Sequence, residues 1–343
     1  MKRIIVLFLV ILLLSVGLTG CKQKESAEET LTIYSYDSFV SYGLPDATNK
    51  LFEEKYNCKI EYRTFGGVGA TLNRLILEKN NPQADLFVGL NMNNLARALK
   101  EEVFISYRPE NYEVIPKEYR IDKNWRVTPF DGPNSLAIIY DSEVIKNPPR
   151  SFEDLLKPEY KGKLILEDPR SSSPGMGFLL WTIAVYGEDH YIDYWEKLEP
   201  TIFHIYPDWT SAFDTAFVQN KEAPMVLSYD VDPAYFYYED EVTRYKAVIL
   251  EEGGWLQLEF AGIVKGGKHQ ELAQRYIEFM LSKEFQENLP LYQWAFPIDT
   301  SIQLPECYSY AVNADKYITL PPEDIASKSQ IWLEKWIEMI IGD

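Results

Sequence analysis

The chain has 343 residues, carries 34 basic against 52 acidic side chains for a net charge of −18, and is 14% aromatic. So acidic a chain repels phosphate backbones and anionic lipid, which excludes a nucleic-acid binder and leaves room for a cationic small molecule. The three histidines, His190, His204 and His269, have no zinc-ligand spacing, so the sequence displays no metal site.

The start of the chain is read apart from the fold. Lys2 and Arg3 precede an apolar run over 4–18 that is short for a membrane span, and Leu18-Thr19-Gly20-Cys21 has the form of a lipobox. Residues 1–20 therefore read as a lipoprotein signal peptide, Cys21 as the lipidation site and 21–30 as a polar tether. The mature protein is expected outside the cytoplasm, held at the cell membrane by lipid on Cys21. Cys58 and Cys307 read equally well as an exported disulfide or as two buried thiols.

The remaining length exceeds one core, so two lobes are expected. Strands read at 31–36 and 59–63, with a helix over 48–56 between them. Leu72, Leu75, Ile76 and Lys79 mark a helix face, and 84–90 is the continuous apolar run of a strand covered on both sides. This alternation means α/β with mostly parallel sheets. After a loop-rich stretch at 101–127, a strand over 135–140 opens a second series. Leu164 to Leu166 reads as a buried strand, followed by Ser173 as N-cap and Pro174 as the first residue of a helix. Strands follow at 225–228 and 256–264. Leu272, Tyr276, Phe279 and Met280 lie on one helical face, as do Trp332, Trp336, Met339 and Ile340. The division expected is 31–130 with 260–298 in one lobe and 133–257 with 303–343 in the other.

Catalytic templates fail. Phe65-Gly66-Gly67-Val68-Gly69 has Leu72 where a nucleotide loop needs its third glycine, and the near phosphate loop at 262–268 ends on His269 instead of Ser or Thr. No G-x-S-x-G elbow is present, and no nucleophile stands beside a base. No enzyme and no cofactor is expected.

Many aromatic residues instead sit at strand ends and helix starts. Tyr36 ends the first strand and Tyr42 follows within one loop, Trp209 precedes a helix, Tyr229 and Tyr235 flank a turn, and Trp294 comes late. Converging on one cleft, such rings would stack on a flat heterocycle and hold a cation.

These stretches resemble the thiamine-binding solute receptors of bacterial ABC importers, across nearly all of 31–340. YSYDSF (34–39), LNRLILEKNNPQADLFVGL (72–90), YDSEVIKNPPRSFEDLL (140–156) and DPRSSSPGMGFLLW (168–181) carry the likeness. DWTSAF (208–213), LSYDVDPAY (227–235), WLQLE (255–259) and QWAFP (293–297) continue it. The resemblance implies a two-lobed periplasmic-binding-protein fold of type II with ligand between the lobes, a monomer, and an ABC permease as partner. It also implies thiamine or its phosphates as ligand, with Tyr36, Ser172, Ser173, Trp209, Tyr229, Tyr235 and Trp294 at contacting positions. Tyr42 stands where relatives often carry tryptophan, and Gly67 where they usually carry aspartate. Asp37, Asp230 or Asp232 is expected to supply the missing charge. A ferric-ion receptor using Tyr237-Tyr238 is the alternative, and an exported enzyme acting on a pyrimidine or sugar a more distant one.

Overall fold

The computed structural model describes residues 29–342, so the leader, Cys21 and most of the tether lie outside the described residues. Strand β1 (Glu29–Ser35) already begins inside the stretch read as tether and pairs in parallel with β2 (Cys58–Thr64) and β3 (Leu86–Asn91). Between and after them run α1 (Asp37–Ser41), α2 (Leu44–Tyr56), α3 (Val68–Leu77) and α4 (Met92–Lys100). Helix α2 starts earlier than its apolar spacing suggests, because Gly43 takes a left-handed φ of 93° and Pro45 suits the first turn. Lys79 lies just past the end of α3. Strand β4 (Thr128–Pro129) and strand β11 (Glu259–Ile263) complete this sheet in the order β2-β1-β3-β11-β4, and only β11 runs against the others.

The second sheet joins β5 (Asn134–Asp141), β6 (Leu164–Glu167), β7 (Ile202–Tyr206), β8 (Met225–Tyr229), β9 (Tyr245–Val248), β10 (Gly254–Gln257) and β12 (Tyr317–Ile318). Its order is β12-β10-β5-β8-β6-β7 with β9 also on β5, and here only β5 runs against the rest. Both sheets therefore keep the mostly parallel character of a doubly covered α/β fold. The run at 256–264, read as one strand, is two: β10 and β11 belong to different sheets, and Leu258 lies between them.

Side-chain alternation splits each sheet into two cores. Leu31, Ile33, Leu86, Val88 and Ile263 pack with helix α8 (Gln270–Met280), while Tyr34, Phe87 and Leu90 pack with Leu72 and Leu75 of α3. In the second sheet Leu136, Leu164, Leu166 and Leu227 face α5 (Ser173–Tyr186) and α6 (Tyr191–Leu198). Trp332 and Trp336 of the terminal helix α9 (Pro322–Ile341) join that core, and α9 also lies along α4 of the first sheet. Ala137, Ile139, Ile165 and Val226 face a π-helix (Thr210–Gln219) and α7 (Asp232–Asp240). Cys58 and Cys307 are buried in separate clusters and are not joined. Among the described residues no helix is long and apolar enough to cross a membrane.

The chain passes between sheets where three segments lie side by side. The Phe130 amide donates to the Glu259 carbonyl (3.0 Å), the Gly132 amide to the Phe296 carbonyl (2.7 Å), and the Phe296 amide to Asn134 Oδ1 (2.9 Å). Gly132 has a φ of 95° and lies so close to Leu258 that a Cβ would fall 2.6 Å from its Cδ2. Several hydrogen-bonded crossings of this kind suit a hinge between two rigid bodies.

Candidate functional site

The aromatic residues singled out in the sequence gather where the two sheets face each other. Tyr36 follows β1, and its hydroxyl donates to both carboxylate oxygens of Glu259 (2.9 Å each) while accepting from Gln293 Nε2 (2.6 Å). Its ring fits because position 89 is glycine with φ of 90°: a Cβ there would sit 2.3 Å from the Tyr36 ring. Tyr42, at the end of α1, meets Trp209 edge-on at 6.3 Å between ring centroids, across the gap between the sheets. Trp209 stacks on Phe213 (4.7 Å, 15°) and donates its indole N–H to Ser228 Oγ (2.8 Å). Tyr235 and Trp294 meet edge-on at 5.2 Å. Trp294 holds a φ of 54°, a left-handed conformation unusual for a bulky residue and a recurrent mark of functional sites.

The serines differ from the sequence reading by one position. Ser172, not Ser173, caps α5, accepting from the Gly175 amide at 3.4 Å. Ser173 turns across the gap, where its Oγ accepts from Asn91 Nδ2 (3.1 Å) and its carbonyl from Asn93 Nδ2 (3.1 Å). These bonds tie the carboxyl end of β3 to the start of α5, so the two halves are in contact.

The candidate acids separate into three roles. Asp37 is exposed, and its side chain accepts from the Gly66 amide (3.3 Å), which clamps the turn before α3 to the end of β1. Asp230 is buried against β5, where Oδ2 accepts from the Ser135 amide (2.9 Å). Both side chains thus bond to backbone amides outside the ring cluster. Asp232 does face it: buried, accepting from the Tyr229 amide (3.1 Å) and supported by the Ser228 hydroxyl, it has its carboxyl pushed up to about 7 by burial.

Three acids in this cluster were not singled out from sequence. Glu259 opens β11 directly after a crossing, and Asp131 stands beside it, with Oδ1 accepting from the Glu259 amide (2.9 Å). Burial drives the carboxyls of both upward, and for Glu259 the charge of Asp131 adds to the rise. Glu167 closes β6 with 1% of its surface exposed. Burial raises the phenols of Tyr36 and Tyr229 too, with Glu259 the next cause in each case. The WLQLE stretch contained Glu259, but no local pattern separates it from a strand-edge acid facing water.

Aromatic rings and buried acids gathered between two sheets suit the binding of a small molecule. Residues 81–315 match the family model described as bacterial extracellular solute-binding protein. The thiamine-binding periplasmic protein of Brucella suis is 33% identical over 321 residues, covering 93% of this chain and 94% of the relative. That of Escherichia coli K12 is 32% identical over 320 residues, covering 92% and 95%. A solved periplasmic thiamin binding protein matches with a TM-score of 0.81 at 30% identity, covering 91% of this chain and 96% of its own. A ferric binding protein from Campylobacter jejuni shares the fold, with a TM-score of 0.75 at 22% identity and coverage of 90% and 99%. The chain belongs to the bacterial extracellular solute-binding protein family, and its fold is the two-lobed type II binding-protein fold.

The alternative iron site finds little support in the geometry. Tyr237 stacks on Tyr310 (4.3 Å, 25°) while Tyr238 meets Trp294 at 5.6 Å, so the adjacent rings go to different partners. Among the described residues no group of three His, Cys, Asp or Glu side chains is placed to hold a metal ion.

Proposed function

We propose that this protein captures thiamine or a thiamine phosphate outside the cytoplasm and delivers it to an ABC permease, without performing chemistry. The observation that carries this reading is the meeting of Tyr36, Tyr42, Trp209, Tyr229, Tyr235 and Trp294 with the buried acids Asp232 and Glu259. Thiamine offers what such a cleft takes: two flat rings, one of them permanently cationic. The first turn of α5 at Ser172 and Ser173 is the place for the hydroxyl or phosphate end, with Ser173 exchanging its bond to Asn91 for one to ligand. Lipid on Cys21 tethers the receptor, a monomer, to the membrane. One lobe comprises 31–130 with 260–298, extended at its start by Glu29 and Thr30, and the other 133–257 with 303–343. Denaturing the purified protein and identifying the released molecule by mass spectrometry tests the reading, and a released sugar phosphate or ferric ion would refute it.

The raised acids give the binding a pH dependence. Asp232 is pushed up to about 7 in the ligand-free cleft by burial, so near neutrality part of the population carries a proton there. A bound cation favours the carboxylate and expels that proton. Release of the Asp232 proton is therefore expected to make affinity for thiamine rise with pH below about 7 and contribute no further rise above it, by up to about one log unit per pH unit. Titration calorimetry in buffers of different ionisation enthalpy reads the proton directly. A flat or falling profile contradicts the arrangement.

Gly67→Asp is the complementary test. Gly67 is the N-cap of α3 with φ −85° and ψ 172°, and a Cβ there meets nothing within 4 Å. Aspartate fits this backbone and caps the helix, with a stability change of only a few tenths of about 1 kcal/mol. Thiamine binding is expected to tighten by up to about tenfold through the added charge. Unchanged binding by a fully folded variant would show the turn to be remote from the ligand, and weaker binding would show that the added carboxylate crowds the site.

A further inference from the structure

Glu167 is, among the described residues, the acid whose two carboxylate oxygens are both buried without a hydrogen-bond partner. It lies on the same face of the second sheet as Ile165, which packs with Ala212, Phe213 and Phe217; the half-buried Trp209 packs on that cluster. The charges that bear on it are those of Asp232 and Asp208, both negative, and its own backbone amide lies outside hydrogen-bonding geometry. Tyr229, at the end of the neighbouring strand β8, feels its charge. Gly175 of α5 seals the other side, since a Cβ there would sit 2.4 Å from the Glu167 carbonyl oxygen. A structural buried acid normally donates its proton to an acceptor or takes bonds from several donors. Glu167 does neither; burial pushes its carboxyl well up toward the protonated form, and a cation beside it would restore the carboxylate.

We propose that Glu167, together with Asp232, forms an anionic floor beneath Tyr42, Trp209 and Tyr235 that selects a cationic ring over a neutral ring of the same shape. This rests on the thiamine reading and adds to it the residue that sets the charge preference. The ring walls stack on either kind of heterocycle; the paired acids discriminate, because a neutral ring leaves them unanswered in a dry site.

The test uses the purified protein with two probes: thiamine, and its uncharged isostere in which the thiazolium nitrogen is replaced by carbon. Glu167→Gln keeps the shape and removes the charge. It is expected to lower thiamine affinity on the order of tenfold to a hundredfold while changing isostere affinity by no more than about twofold. Glu167→Asp keeps the charge at a shorter reach, so its thiamine affinity falls between the two, and it serves where the glutamine variant folds poorly. Equal losses for both probes would mean packing, and unchanged thiamine affinity would mean a bystander; either result overturns the inference alone. A wild-type protein that binds neither probe overturns the thiamine reading and this inference with it.

Discussion

Glu259→Gln is expected to weaken thiamine binding tenfold to a hundredfold, about 1.4 to 2.8 kcal/mol, and to make the ligand-free protein more stable. Both effects have one cause. Glu259 stands at the hinge, with Asp131 as a like-charged neighbour and the Tyr36 hydroxyl as its hydrogen-bond donor. A cation beside it favours the carboxylate, whereas burial and Asp131 by themselves favour the protonated acid. Burial and Asp131 raise the carboxyl above its unfolded value of about 4.3, so the folded state holds a proton that the unfolded state releases. Stability from this group is then fully present below about pH 4.3 and is lost as pH rises toward the folded value. The stabilisation by glutamine should accordingly be near zero at about pH 4.5 and grow to on the order of 1 kcal/mol at about pH 8. Thermal unfolding at both pH values, with calorimetric titration of thiamine, checks the pair of effects. A variant less stable than wild type at the higher pH, or one binding thiamine unchanged, would be inconsistent with an unpaired acid waiting for a cation.

Trp209→Ala is expected to reduce thiamine affinity by about 1–3 kcal/mol, the scale of one stacked base or a desolvated cation–π contact. The structure adds a second consequence. Because Trp209 stacks on Phe213 and donates to Ser228, which in turn supports Asp232, its removal also disturbs the fold and the acid behind it. A stability loss of about 1–2 kcal/mol should accompany the loss of affinity. Trp209→Phe separates the two contributions: it keeps a ring over Phe213 and gives up only the bond to Ser228. Affinity is then expected to recover part of the way, with stability closer to wild type. Denaturant unfolding and calorimetry on the same samples measure both. If the alanine variant folds and binds thiamine as wild type does, the ring belongs to the core of the second lobe and not to the ligand.

Much of the fold was written in local sequence. Continuous apolar runs gave β3 and β5 because both faces of those strands are covered, and the spacing of Leu272, Tyr276 and Met280 gave α8 because a helix repeats near every fourth residue. The ring positions at strand ends were legible for the same reason: loops at the carboxyl ends of an α/β sheet face one side. Tertiary structure decided the rest. The run at 256–264 breaks at Leu258 only because the chain crosses between sheets there, and apolar pattern carries no mark of which sheet a strand joins. The helix following Trp209 takes π geometry, which its spacing does not disclose. Asp37 and Asp230, alike in sequence to Asp232, are claimed by the Gly66 and Ser135 amides, partners 29 and 95 residues away. Glu167, Glu259 and Asp131 are three among 52 acidic residues, and nothing beside them in the chain sets them apart. What distinguishes them is the loss of water when two sheets close around them, a property of segments distant in sequence and adjacent only in the fold.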